Sequence, residues 1–174
     1  MSELEIARYA VSVALTGALL WAGVSDAITR KIPNASVVTV LALFVVWSFL
    51  NPLPLLTSSL LAGVIGFIVF YALYAFRILG AGDAKLFSAV ALFAGLAYLG
   101  SFSMATVLAG GAMAVVTLAS RPQRALVMFN LRGRGDFGRG IPYGCAIAFG
   151  GIIMHWGRML GFLTPYTMFG VVPT

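Results

Sequence analysis

The sequence is poor in charge. Only 9% of its 174 residues are charged, whereas 61% are hydrophobic and the mean hydropathy is +1.02. A soluble domain carries roughly a quarter charged residues. A globule of 18.4 kDa cannot bury so much apolar surface, so the composition excludes an ordinary soluble domain. It predicts a polytopic membrane protein with lipid as its main solvent.

Cysteine and histidine are almost absent. Cys145 and His155 are the only residues of their types. A single cysteine excludes an internal disulfide and a cysteine-based zinc site. A metal site needs three or four ligands, and one histidine does not supply them. We therefore predict no metal centre.

The chain has a basic excess, with a formal net charge of +6. In a soluble protein this charge would suggest a nucleic-acid partner. Here the basic residues lie in short loops between apolar runs, where they act as topology signals. We therefore predict a lipid bilayer as the surroundings and no nucleic-acid partner.

Long uncharged runs define the spans. Residues 32–76 carry no charge over 45 positions, which as one helix would reach ~68 Å against a hydrocarbon core of roughly 30 Å. Two prolines in "NPLPLL" at 51–56 predict a turn in this run, and "YLGSFS" at 98–103 predicts a second break. The predicted all-α fold is a single membrane domain, 1–174, with six transmembrane helices and a basic loop at 121–140. The spans lie near 6–24, 35–50, 57–76, 84–99, 102–120 and 141–160.

The distribution of lysine and arginine predicts the orientation. If the first loop is cytoplasmic, nine of the eleven basic residues lie on the inside, and only Arg8 and Arg158 lie outside. This bias follows the positive-inside rule. Both termini are then predicted on the non-cytoplasmic side. Glu3 and Glu5 near the N-terminus argue against a cleaved signal peptide, so the first span is expected to be retained.

Two of the five acidic residues are candidates for a function, because the other three are expected to be solvated. Glu3 and Glu5 lie in the N-terminal tail, and Asp136 lies among arginines in the basic loop. Asp26 ends the first span and Asp83 begins the fourth, with two crossings between them. Both therefore face the same side of the membrane, and the charge bias makes that side cytoplasmic.

Two carboxyl groups at the membrane edge can work as an acid–base pair. When they approach each other, one proton is shared between them. The ionised partner takes a proton from water while the protonated partner polarises a scissile carbonyl. Each aspartate also has an interpretation without a catalytic role. Asp26 would form an ion pair with Arg30, four positions later, and Asp83 would be a helix N-cap or a partner of Lys85. Ionisable residues inside a membrane nevertheless tend to be functional.

Three motifs carry a family resemblance. "GAGDAKL" at Gly80–Leu86 resembles the GxGD signature of aspartyl intramembrane proteases. "SDAITRKIPN" at Ser25–Asn34 resembles the first-aspartate motif of type IV prepilin peptidases, and "GRGIPYGCAIAFGG" at Gly138–Gly151 is similar to the opening of that family's last helix. In its small size the chain resembles the peptidases of the short branch of this family, which serve tight-adherence (Flp-type) pili.

The resemblance implies roles for particular residues. Asp26 and Asp83 match the two catalytic aspartates. Gly80 and Gly82 match the signature glycines, which we expect to permit positive φ and close backbone approach, and so to allow a sharp turn into the fourth helix and leave room beside Asp83 for a substrate backbone. Lys85 matches a common basic position that we interpret mainly as a marker of the cytoplasmic edge.

Pro33 and Asn34 match the turn into the second span, and we expect turn and helix start to be their role. The resemblance also implies a substrate: a prepilin with a short basic cytoplasmic leader, cut after a glycine before its hydrophobic helix, with pilus-assembly machinery as a possible further partner. The enzyme would lie in the inner membrane with its active site at the cytoplasmic face. Hydrolysis would need no cofactor, and methyltransferase activity is not predicted.

Other classes of function remain open from the residues alone. One is a GxGD protease that cuts other membrane substrates within a spanning helix. A second is ion or proton translocation, which favours acids near the midplane rather than at one edge. A third is a non-enzymatic subunit of a pilus or secretion apparatus.

Overall fold

The computed structural model describes residues 2–120, 142–163 and 165, and the basic loop predicted at 121–140 lies outside them. Within these ranges the chain forms α-helices joined by short turns. In chain order they are α1 (Glu3–Thr29), α2 (Asn34–Phe49), α3 (Leu53–Ala75), α4 (Ala81–Ser120) and α5 (Tyr143–Met159). The predicted all-α class is confirmed.

Three of the described helices are long and apolar enough to cross a membrane. They cover Glu3–Thr29, Leu55–Ala75 and Ala81–Thr117. The helix α2, with 16 residues, is a shorter apolar helix. These findings support a membrane-embedded protein, as the composition predicts.

The turn between α2 and α3 is tighter than predicted. We placed it across 51–56 and began the third span at 57, but α3 already begins at Leu53. Pro52 is the N-cap, with φ −61° and ψ 144°. A proline at the start of a helix is tolerated because the first N–H groups have no intrahelical partner. The prolines therefore start α3 rather than occupying an extended turn.

The helix α4 folds back on itself at Gly95. The rings of Phe87 and Phe102 stack with centroids 4.5 Å apart, although 15 residues of straight helix would separate them by about 22 Å. Gly95 has φ +62° and ψ 176°, a conformation that favours glycine. Ser58 Oγ accepts the Leu96 N–H at 2.9 Å and so satisfies an amide freed by the reversal. The predicted break at 98–103 was wrong in position, since the reversal lies at Gly95.

The two halves of α4 form the centre of the bundle. Phe87 stacks on Phe70 of α3 with ring centroids 3.6 Å apart, as well as on Phe102. The helix α5 packs against α4 at Gly151, where an added Cβ would lie 2.8 Å from Val90. Small residues at helix contacts allow such close approach in membrane proteins. The helix α1 packs against α2 and α5.

Two arginines hold the end of the bundle farthest from the aspartates. Arg8 donates to the Leu50 carbonyl at the C-terminus of α2, with Nη2···O 2.8 Å. Arg158 donates to the Phe93 carbonyl at 3.0 Å, just before the reversal of α4. Eighteen residues of α1 separate Arg8 from Asp26, or about 27 Å. Arg8 and Arg158, which the charge pattern separates from the other basic residues, thus lie together at the end of the bundle opposite the aspartates.

Candidate functional site: an aspartate cavity

Asp26 and Asp83 line one cavity at an end of the bundle, although they lie 57 residues apart in sequence. The cavity has a volume of about 310 Å³. Asp26 comes from the last turns of α1 and Asp83 from the first turn of α4. The remaining lining residues lie in the turn after α1 and around the start of α4: Arg30, Lys31, Ile32, Gly80, Ala81 and Gly82. The two carboxyl groups are close enough to interact electrostatically.

The Asp26 carboxyl is buried and held by α5. Its side chain is only 7% exposed. The Gly144 N–H donates to Asp26 Oδ2 at 2.8 Å, joining residues 118 positions apart. The Cys145 thiol donates to the Gly23 carbonyl at 3.0 Å one turn earlier in α1. The start of α5 thus fixes the orientation of the first aspartate.

The Asp83 carboxyl is held by its own helix start. Asp83 is the third residue of α4, and its Oδ2 accepts the Gly80 N–H at 3.0 Å. This is the return half of a capping box, in which an N3 acid reaches back to the N-cap amide. The alternative prediction, that Asp83 is the N-cap of this helix, is therefore wrong in position, because Asp83 caps the helix from position N3. The cap also orients the carboxyl at the cavity wall.

The two aspartates are held by the same kind of hydrogen bond. In each case a glycine backbone N–H donates to Oδ2 of the carboxyl group. A carboxylate accepts hydrogen bonds at both oxygens, so one amide fixes its orientation without exhausting its capacity. Two oriented carboxyl groups around a polar cavity can hold a water molecule and exchange a proton through it.

Gly144 approaches Asp26 so closely that any larger residue would force a neighbouring side chain to move. A Cβ at this position would lie 2.9 Å from Asp26 Oδ2 and 2.8 Å from Ile32 Cδ1. Sequence reasoning did not assign Gly144 to the site, although it lies in the third motif. The signal that could have found it is the Pro-Tyr-Gly order at the start of a helix, since a glycine there permits close backbone contact.

The preceding residue, Tyr143, brings the second half of α4 to the same region. An added Cβ at Gly110 would lie 2.8 Å from the Tyr143 ring, and the phenol interacts electrostatically with Asp83. Sequence reasoning also missed this residue. Its place in the site depends on the reversal of α4 at Gly95, which returns residue 110 to the level of the aspartates.

Gly80 and Gly82 are required for space rather than for positive φ. Within the described residues, the glycines with positive φ are Gly95 and Gly161. The expectation of positive φ at the signature glycines was therefore wrong. A Cβ at Gly82 would lie 3.1 Å from Ile32 Cβ, and one at Gly80 would lie 3.0 Å from Asp83 Oδ2. The close approach at Gly82 is to the Ile32 side chain, and the expected room beside Asp83 for a substrate backbone stays a prediction.

Lys85, Pro33 and Asn34 lie beside the cavity rather than in its lining. Pro33 is the N-cap of α2, as the turn predicted. Asn34 begins α2, and its Oδ1 accepts a hydrogen bond from Lys85 Nζ at 3.3 Å. Asn34 therefore also joins α2 to α4, and Lys85 has a specific partner in addition to marking this end of the bundle.

His155 is far from the aspartates. It is 1% exposed, and its Nε2 lies 2.9 Å from Ser12 Oγ. Its ring contacts Trp47 and Phe93 edge-on inside the bundle. The parts of the chain that the structure describes contain no group of three or more metal-ligating side chains.

Comparison with known families identifies the class of protein to which the chain belongs. The model of the type IV leader peptidase family matches residues 13–119, which include both aspartates. That range is more than half of the chain, so the chain belongs to the type IV leader peptidase family. Among curated proteins and among solved structures, nothing matches it.

Proposed function

We propose that this membrane protein is an aspartyl endopeptidase that removes the short basic leader of type IV prepilins, with Asp26 and Asp83 as its catalytic pair. The observation that carries the proposal is the shared cavity. Two acids from helices that are far apart in sequence line this cavity, and a glycine amide orients each of them. The family membership supplies the peptidase class.

Hydrolysis by this pair needs one proton shared between two carboxyl groups. The ionised aspartate takes a proton from water, and the resulting hydroxide attacks the scissile carbonyl carbon. The protonated aspartate donates its hydrogen bond to the carbonyl oxygen as the tetrahedral intermediate forms. Collapse of the intermediate breaks the C–N bond, and a carboxyl proton passes to the leaving amine. The pair titrates as a unit, so neither acid is assigned a fixed role.

The proposed topology has six spans, with the two halves of α4 counted separately because they run side by side. The cavity lies at the cytoplasmic face of the inner membrane, and both termini lie on the other side. Arg30 and Lys31 at the cavity support this orientation under the positive-inside rule. The opposite end, where Arg8 and Arg158 lie, carries fewer basic residues.

The proposed substrate fits this topology. A prepilin leader that remains in the cytoplasm meets the cavity from the aqueous side, while the hydrophobic helix that follows stays in the bilayer. The bond to be cut lies at the junction of these two parts. The polar cavity and the apolar helices that surround it supply both environments at one level.

The test is cleavage of a co-expressed, epitope-tagged pilin precursor in membranes. We expect Asp26→Asn and Asp83→Asn each to abolish processing, because asparagine keeps the size of the side chain but cannot exchange the proton. Glu3→Gln is the matched control, since it removes an exposed acid at the opposite end of α1. Wild-type processing by either aspartate variant would refute the proposal. Mass spectrometry of the product N-terminus distinguishes leader removal from a cut within the helix.

A further inference from the structure

An apolar groove opens between α2 and α3 on the side of the bundle. These helices are consecutive and joined by a short turn, yet they make little contact with each other, and each packs against α4 instead. The groove has a volume of about 420 Å³. The first half of α4 forms its floor. Its walls are half-exposed apolar side chains, among them Leu41, Leu60, Val64 and Phe67.

The geometry points to a specific occupant: we propose that the groove binds the apolar helix of the substrate and holds its end at the level of the aspartates. This inference rests on the proposed function, because it specifies where the membrane-embedded part of the leader-peptidase substrate lies. Three observations carry it, namely the depth, the shape and the charge of the groove.

The depth of the groove matches the position of the aspartates. Along α4 its floor runs from Lys85 to Leu92, about 10 Å or two helical turns. Lys85 is two residues from Asp83, so the groove ends at the level of the cavity. A helix lying in the groove would therefore end at the level of the carboxyl groups, with the first turn of α4 between them, because positions 83 and 85 lie on different faces of the helix. The chain adjoining that end would cross this turn to reach the carboxyl groups, which is where a leader peptidase cuts the bond at the end of an apolar helix.

The shape of the groove suits a helix. Ser88 and Ala89 on the floor have small side chains, and Ser88 Oγ is engaged with the Ala84 carbonyl at 2.6 Å. Small residues let a neighbouring backbone come close, which is how helices associate within membranes. Leu60 and Val64 on the wall remain 49% and 54% exposed and can pack against a further helix.

The charge of the groove lies at one end only. Lys85 is its one charged lining residue among those described, and Lys85 Nζ donates to Asn34 Oδ1 across the end of the groove. An apolar helix therefore meets no charge along the groove until its end reaches the level where the polar leader begins. This polarity matches a segment that changes from polar to apolar at the cleavage site.

Photo-crosslinking tests the occupant with a matched pair of positions. A benzoylphenylalanine would replace Leu60, which lines the groove, or its neighbour Leu61, which does not line it and is similarly exposed at 48%. Both variants would carry Asp83→Asn to retain the substrate, and both would be co-expressed with the tagged pilin precursor. We expect an adduct with the precursor from position 60 and not from position 61. Equal adducts from both positions, adducts with lipid alone, or adducts with a second copy of this chain would overturn the proposal.

Kinetics give a second and independent readout. Val64→Trp fills the groove, whereas Val107→Trp adds the same bulk at a similarly exposed position on the second half of α4, outside the groove. We expect Val64→Trp to raise KM roughly tenfold with kcat unchanged, because the substrate helix loses part of its apolar contact. Val107→Trp should leave both constants as in the wild type. Equal KM values in the two variants would contradict the proposal.

The two proposals fail in different ways. If the asparagine variants of Asp26 and Asp83 are inactive while the groove variants behave like their controls, only the groove assignment is wrong. If the asparagine variants still process the precursor at the wild-type rate, the proposed chemistry is wrong, whatever the groove binds.

Discussion

Replacing Gly144 with alanine tests whether the backbone of α5 positions the first aspartate. The added Cβ would lie 2.9 Å from Asp26 Oδ2 and 2.8 Å from Ile32 Cδ1. Ordinary contact needs about 3.4 Å, so the carboxyl must move by about 0.5 Å, which is the limit of productive placement in a designed catalytic site. Misplacement by 1 Å can cost about 100-fold in rate. We therefore expect kcat to fall by about 10- to 100-fold.

The assay is precursor cleavage by purified protein in detergent or vesicles, normalised to folded protein. Two alanine controls separate positioning from stability. Gly17→Ala meets nothing within 4 Å and should be silent. Gly151→Ala meets Val90 Cγ1 at 2.8 Å in the core, so it should lower thermal stability without lowering kcat of the folded fraction. A wild-type kcat for Gly144→Ala would refute the positioning role, as would a loss that only follows the folded fraction.

Three further substitutions test the contacts and turns that hold the helix bundle together, each by thermal unfolding of the purified protein. Gly95→Ala imposes a side chain at φ +62° and ψ 176°, 3.2 Å from Ser58 Oγ, and it should cost about 1–3 kcal/mol; an unchanged midpoint would contradict the strained turn. Arg158→Met removes the donor to the Phe93 carbonyl and should cost about 1–3 kcal/mol while kcat stays unchanged, and a matching loss of kcat would count against a purely structural role. Arg77→Gly relieves a non-glycine residue at φ +59° and should stabilise the protein by up to about 1 kcal/mol, so a lower midpoint would contradict the strain argument.

The sequence predicted the helices well because lipid limits the length of an apolar run. Four of the predicted spans match α1, α2, α3 and α5 within a few residues. The turn inside α4 was misplaced, because its position depends on a contact distant in sequence. Gly95 reverses the chain where Ser58 of α3 can receive the freed amide, and a stretch with polar residues a few positions later looked like the better break.

The candidate site was only partly predictable. Asp26 and Asp83 stood out because acids are rare in this chain, and counting spans placed them at one end. The amides that hold them were harder to foresee. The Gly80 contact is local and follows from helix capping. The Gly144 contact joins residues 118 positions apart; the Pro-Tyr-Gly order indicates a close backbone approach at Gly144 but does not indicate that Asp26 is its partner.

The arginine contacts at the far end have a mechanical consequence. Arg8 ties α1 to the end of α2, and Arg158 ties α5 to α4, so neighbouring helices are fastened at that end. At the other end the same bundle surrounds an open cavity. With the fastened end as a fulcrum about 27 Å away, tilting α1 by about 2° moves Asp26 by roughly 1 Å. Such a tilt would have to carry the start of α5 along with α1, because the Gly144 N–H is bonded to Asp26, and it would change the distance from Asp26 to Asp83.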